Sequence, residues 1–325
     1  ASVIHDWSGG EGGDVLHVSS SATAIVGGLA GFAGWGGANT IDLSIGVFNA
    51  GAIKLAAGAG SNAIYLDTGV DVIWTGYEFT VNAGVIDGHL DPSASAAATD
   101  TLWGLGRGVS AQDQLHVAAG STAVIGSLQD QSDWDGDETV DLRADVSNAG
   151  TIILSTGAGN NTVYGSAGVD HLYGSADGGN NQVWGGAGAD SFFVGTRRSA
   201  QTGETTTVVS RDLIWDWQAG VDTMAIANGA TGVIAGRMGA DWAGDDSVDL
   251  SSGISNSGTL VIALGSGNDS VVGSAGVDHI YGDSSSSSGN MVNGGAGSDH
   301  FFVGYRYDPV EDSKHELTAS ETAID

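Results

Sequence analysis

Apolar residues recur in this chain at intervals of nine. From Ser255 to Phe302 the sequence divides into SNSGTLVIA, LGSGNDSVV, GSAGVDHIY, a three-residue insert at 282–284, SSSSGNMVN and GGAGSDHFF. In the later segments Gly or Ser opens the nonapeptide, Asp or Asn stands sixth and an apolar residue stands eighth. The same block lies at 147–193 as SNAGTIILS, TGAGNNTVY, GSAGVDHLY, a two-residue insert (Gly174, Ser175), ADGGNNQVW and GGAGADSFF. A decayed block covers 48–74, and a further full copy reads GGEGGDVLH at Gly9 to His17.

Each nonapeptide predicts a turn followed by a short strand. The Gly-rich first six residues can take φ > 0 and turn tightly, with backbone carbonyls free to face a ligand. The last three are extended, with the eighth side chain pointing in and the seventh and ninth pointing out. The inward set is then Val163, Leu172, Val183 and Phe192 in one block, and Val271, Ile280, Val292 and Phe301 in the other. Two turns and two strands make one coil, so equivalent turns stack at every second nonapeptide. Stacking brings Asp side chains and carbonyl oxygens together, and a flexible cage of hard oxygens suits Ca²⁺ better than Mg²⁺ or a transition metal.

A longer period contains the short one. Trp35, Trp134 and Trp242 stand 99 and then 108 residues apart, each followed by an I/V-D-L strand (Asp42, Asp141, Asp249) and an N-A-G or N-S-G turn. Three repeats follow: residues 1–100 with degenerate nonapeptides, 101–207, and 208–325 with a carboxy-terminal linker. No stretch shows a helical apolar period, so the fold expected is all-β, a parallel β-roll or β-solenoid of three repeats. One inward side chain per nonapeptide is a thin core that needs stacking, metal or partners to offset chain entropy.

Charge adds to this picture. The 325 residues carry 39 acidic against nine basic side chains, a net −30, which sets nucleic acid aside as a partner. Solubility is one use of such charge; cation binding is the other, since many Asp share one register of the repeat. There is no Cys, and no apolar run reaches the length of a membrane span. No signal peptide is visible, which is read as a mature chain or export by a carboxy-terminal route.

The nonapeptides, with the phrase D-x-I-x-D-W-x-x-G-x-D at Asp212 to Asp222, resemble the hemolysin-type calcium-binding (RTX) repeat family over roughly half of the chain. The resemblance implies a parallel β-roll, secretion, and Ca²⁺ held between turns of alternate nonapeptides. Carried onto this sequence, it pairs Asp170 with Asp190, completed by carbonyls of Gly165, Ala167, Gly186 and Gly188. It also pairs Asp278 with Asp299, completed by Gly273, Ala275, Gly295 and Gly297. Asp269 opposite Asn290 is a weak site, and Asp14 is the acidic residue of the Gly9–His17 copy. Ser166 and Ser274 replace the second Gly, which tightens the turn. Asn161 and Asn181 replace Asp, and that pair is read as metal-free.

Other features stay open. Asp133, Asp135 and Asp137 fit either a calcium loop or, more simply, a solvated turn. The ninth-position column (Tyr65, Trp74, Tyr164, Tyr173, Trp184, Phe193, Tyr281, Phe302) is read as packing under linkers, as a docking face, or as a platform for surface glycans. His171, His279 and His300 are read as solvent-facing, the alternative being that His279 and His300, neighbours on one sheet, bind a metal or sense pH. H-E-L-T-A at 315–319 is not a zinc-protease motif, and no nucleophile elbow or phosphate loop occurs, so the protein is expected not to be an enzyme. Written end to end, ETAID and ASVIHDW nearly reproduce the internal run ETTTVVSRDLIWDW. The expectation is a secreted, calcium-binding structural protein, extracellular or on the cell surface, joining copies of itself head to tail in a filament or surface layer. The alternatives are an adhesin or carbohydrate-binding segment, or a piece of a longer array.

Overall fold

The computed structural model describes residues 2–4, 15–27, 40–43, 47–49, 51–56, 61–66, 70–75, 77–79, 92–94, 99–103, 114–126, 137, 139–143, 146–173, 179–199, 202–235, 247–264, 267–282 and 289–316. Trp35, Trp134 and Trp242, as well as Asp14, Asp133 and Asp135, lie outside the described residues. Those described are all-β and build a parallel roll, as the nonapeptide period requires.

Three long sheets carry the roll. A six-stranded amino-terminal sheet begins at Ser2–Ile4 and ends at Val146–Asn148. A nine-stranded central sheet runs from Thr40–Asp42 to Ile254–Asn256. An eight-stranded carboxy-terminal sheet runs from Thr139–Asp141 to His300–Phe302. Pairing inside them is parallel and in one register, because each turn hands the chain to the same depth of the next coil.

Register makes the eighth position a continuous apolar column. In the central sheet Ile41, Ile64, Leu102, Ile125, Leu154, Leu172, Phe192, Met224 and Ile254 stand rung on rung. In the carboxy-terminal sheet the column is Val140, Val163, Val183, Ile214, Ile234, Ile262, Ile280 and Phe301. Most of these side chains join one buried cluster that extends from Val18 to Ile280, each stabilising by about 1.5–3 kcal/mol. Phe301 and Val292 depart from the expected core: they hold the inward register but no further coil covers them, so both are exposed.

The ladders run without a break past the repeat boundaries expected near residues 100 and 207. Asn180–Trp184 pairs with Arg211–Ile214, which pairs onward with Thr231–Ala235, while Ser191–Val194 pairs with Thr223–Ile226. The same joint occurs earlier: Ala63–Tyr65 pairs with Thr99–Trp103, which pairs with Thr122–Gly126, and Val70–Thr75 pairs with Gln114–Val117.

Among the described residues three antiparallel hairpins accompany the roll: Tyr77–Phe79 with Pro92–Ala94, Thr196–Arg198 with Thr205–Thr207, and Tyr305–Asp308 with Ser313–Glu316. The last folds back over the outer face of the carboxy-terminal sheet. There Tyr307 is buried with Leu213, Trp215, Val233, Val261 and Tyr281, and Arg211 donates to Tyr307 Oη at 2.9 Å. This answers the outward aromatic column in part, since the chain's own hairpin covers it.

Candidate metal centre

The sixth residue of each nonapeptide sits where turn becomes strand, and its side chain turns inward beneath its own loop. Asp170, Asp190 and Asp278 are buried; Asp299 is half-buried. The loops stack backbone on backbone. A Cβ on Gly188 (φ +135°) would lie 2.1 Å from the Gly168 carbonyl oxygen, and one on Gly297 (φ +133°) 1.9 Å from that of Gly276. Only Gly permits both this conformation and this approach.

The residues expected to pair do meet. The Asp170 backbone N–H donates to Asp190 Oδ1 at 2.9 Å, and that of Asp278 to Asp299 Oδ1 at 3.2 Å. Gly165, Ala167, Gly186 and Gly188 belong to the first pair of stacked turns, and Gly273, Ala275, Gly295 and Gly297 to the second. Across the roll, Asn161 N–H donates to Asn181 Oδ1 at 3.0 Å and Asp269 N–H to Asn290 Oδ1 at 2.8 Å, so those pairs are opposed as well. Asp137, the described member of the DWDGDE run, accepts from the backbone and side chain of Asn160.

Two carboxylates had no role assigned from sequence. Asp222 Oδ1 accepts the Asp190 N–H at 3.0 Å, extending the column Asp170–Asp190–Asp222 by one step across the repeat joint. Asp216 accepts the N–H groups of Gly185 and Gly186, both at 2.8 Å. Their signal was the D-W-x-x-G-x-D spacing, which reads as a turn of the same kind with different residues.

Electrostatics at this column oppose four negative charges. Burial pushes Asp190 up to about 7, and Asp170, Asp222 and Asp216 add to the rise. Burial pushes Asp170 up to about 6 against the donors of Ser166 and Asn148, and it also raises Asp278. Asp190 Oδ2 is buried with no hydrogen-bond partner, a costly state for a carboxylate oxygen. Among the described residues no three His, Asp or Glu side chains converge to form a cage by themselves. The stacked carbonyls are the other oxygen donors these turns offer. Hard oxygen donors, flexible Gly backbone and an unanswered buried carboxylate fit Ca²⁺.

The ninth-position rings stack along the ladders. Tyr164 and Trp184 lie 4.5 Å apart, Trp184 and Trp215 5.8 Å, and the Arg143 guanidinium covers the far face of Tyr164 at 3.6 Å. Their faces are taken up by one another, so neither Tyr164 nor Trp184 offers the free face on which a sugar stacks. His279 and His300 are neighbours as the register demands, with ring centroids 4.6 Å apart.

Residues 153–178, 175–196 and 261–286 match the RTX calcium-binding nonapeptide repeat, in four copies. The chain is therefore a parallel β-roll carrying RTX repeats, and Ca²⁺ is the ion such repeats bind. Comparison with curated proteins and with solved structures gave no match.

Proposed function

We propose that this calcium-binding protein is an extracellular structural protein without catalytic activity, whose copies add head to tail into a filament or surface layer. Asp170 with Asp190, and Asp278 with Asp299, together with the stacked loop carbonyls, would hold Ca²⁺. The ion supplies positive charge between carboxylates that otherwise repel, and so ties consecutive coils.

One observation carries the assembly. At the internal joint Val183, Phe192 and Val194 are 5, 1 and 1% exposed beneath Ile214, Met224 and Ile226 of the next coil. Their counterparts on the carboxy-terminal edge, Val292, Phe301 and Val303, are 37, 52 and 85% exposed. The strands that bear Val292 and Phe301, Met291–Asn293 and His300–Phe302, each pair on one side only.

The other edge carries the matching half. Ser2–Ile4 pairs with Thr23–Gly27 in the register in which Arg211–Ile214 pairs with Thr231–Ala235, aligning Ile4 with Ile214. Leu16–Val18 pairs with Val47–Asn49 as Met224–Ile226 pairs with Ile254–Asn256. This likeness supports reading the two edges as halves of the joint found near residues 100 and 207. A heterologous contact of this kind propagates without closing.

The test is light scattering and negative-stain imaging over a concentration series in calcium. The unmodified chain should elongate with concentration, whereas Phe301→Glu should stay at single-chain mass with its calcium binding and circular dichroism unchanged. A single-chain mass at every concentration, or filaments unaffected by Phe301→Glu, would overturn the assembly.

A further inference from the structure

The turns of one ladder are not closed in the same way. Asn148, in the N-A-G turn that opens a block, points its amide into the loop 165–170. Asn148 Nδ2 lies 3.1 Å from Ser166 Oγ, 3.2 Å from the Val169 carbonyl oxygen and 3.4 Å from Asp170 Oδ1. Asn256 does the same in the next block, at 3.2 Å from Ser274 Oγ, 3.1 Å from the Val277 carbonyl oxygen and 3.4 Å from Asp278 Oδ1. In both cases a hydroxyl, a carbonyl and a carboxylate converge on one donor nitrogen. The Asn carbonyl oxygen is itself held by the N–H of Gly150 or Gly258.

The carboxylates beneath take further donors. Asp170 Oδ2 accepts Ser166 N–H at 2.7 Å and the Ser166 hydroxyl, whose oxygen in turn accepts Gly168 N–H at 3.1 Å. At Asp278, Oδ2 accepts Ser274 N–H at 2.7 Å and Oδ1 accepts the Ser274 hydroxyl at 2.8 Å, whose oxygen accepts Gly276 N–H. One turn further on the pattern stops. Gly185 and Gly186 replace the Gly-Ser pair and give their N–H groups to Asp216, and Gln218 Nε2 donates to the Gly186 carbonyl oxygen at 3.0 Å; no side-chain amide reaches Asp190, whose Oδ1 takes the Asp170 N–H and whose Oδ2 is buried without a donor.

We infer that Asn148 and Asn256 are amide plugs, closing the first turn of each ladder with a neutral hydrogen-bond donor where the next turn closes with a cation. A primary amide offers two N–H groups to a cluster of oxygens and carries no net charge, so it answers Asp170 and Asp278 whatever the calcium concentration. The molecule is accordingly divided along its axis. Loops 165–170 and 273–278, which also face the ion through Asp170 and Asp278, keep their amide lock without it, and loops 185–190 and 294–299 have no side-chain amide at their carboxylate and rely there on Ca²⁺. Asp269 and Asn290, on the opposite side, lie outside this division.

Amide hydrogen exchange on the intact chain, in calcium and in excess chelator, tests the division. Ser166 and Gly168 should keep their protection in chelator, while Gly185 and Gly186 lose at least about tenfold, equivalent to about 1.4 kcal/mol. Asn148→Asp sets a carboxylate against Asp170. It should make Ser166 protection calcium-dependent and raise the calcium stoichiometry by one ion per chain. Asn148→Ala should lose that protection in both conditions. If Asn148→Asp does not fold, Asn256→Asp read at Ser274 gives the same comparison. Equal loss at Ser166 and Gly186 in the unmodified chain, or an Asn→Asp variant indifferent to calcium, would overturn the inference. Calcium binding by the unmodified chain is read separately in the same titration, and the assembly proposal is not involved.

Discussion

At the scale of single residues, backbone approach governs more of this molecule than side-chain chemistry does. Gly188 and Gly120 both have positive φ, but only Gly188 faces a carbonyl within 2.1 Å, while Gly120 has open space around its missing Cβ. Gly120→Ala should cost about 1–2 kcal/mol, the strain of the left-handed region alone. Gly188→Ala should cost about 3 kcal/mol or more, because a neighbouring coil must also move. Urea midpoints of the two variants check the difference. Asp at the sixth position was legible in sequence because nine-residue spacing fixes both its depth and its neighbour. Asn148 was not, since the same N-A-G motif also makes an ordinary Asx turn, and only the stacked loop shows where the second half of the amide goes. Nor was the lack of free ring faces at Tyr164 and Trp184, which depends on an arginine 21 residues before the tyrosine.

At the scale of elements, strand and turn positions follow from the period, but the hairpins do not. The segments at 195–207 and 304–322 read as linkers with Pro, charge or Ser/Thr, and the hairpins at 196–207 and 305–316 lie within them. Their fold is decided by what lies beneath them. Tyr307 stacks on Tyr281 at 4.8 Å and hydrogen-bonds Asp312, and Arg211 ties the hairpin back to the sheet through Tyr307 Oη and the Pro309 carbonyl oxygen. The hairpin is thereby a latch on Leu213, Val233 and Val261, apolar residues placed outward on a face that would otherwise be wet. Tyr307→Ala should lower stability by about 3–5 kcal/mol, whereas Tyr307→Phe, which keeps the ring, should lose about 1 kcal/mol. Guanidinium unfolding curves distinguish the two. The internal hairpin is tied in its own way, with Ser155 Oγ donating to the Arg198 carbonyl oxygen at 2.8 Å.

At the scale of the whole molecule, a net charge of −30 opposes compaction, and two kinds of counter-charge can relieve it. Monovalent salt screens exposed carboxylates over about 10 Å at 0.1 M but does not answer a buried oxygen such as Asp190 Oδ2. Chelation should therefore lower the thermal midpoint by roughly 5 °C, taking two sites at about 1.4 kcal/mol each. Added sodium chloride should restore only part of that loss. Calorimetry in calcium, in chelator, and in chelator with salt measures all three. Full restoration by salt would mean that surface repulsion alone is being relieved.

The three long sheets begin and end at different places along the axis, so their ends overlap like courses of brickwork. Near residues 100 and 207, where the sequence leads one to expect repeat boundaries, two sheets pass through unbroken. A load applied along the axis therefore meets no plane of weakness at a repeat boundary. The molecule should yield rung by rung under tension, as a sawtooth of small, evenly spaced extensions rather than as three large releases.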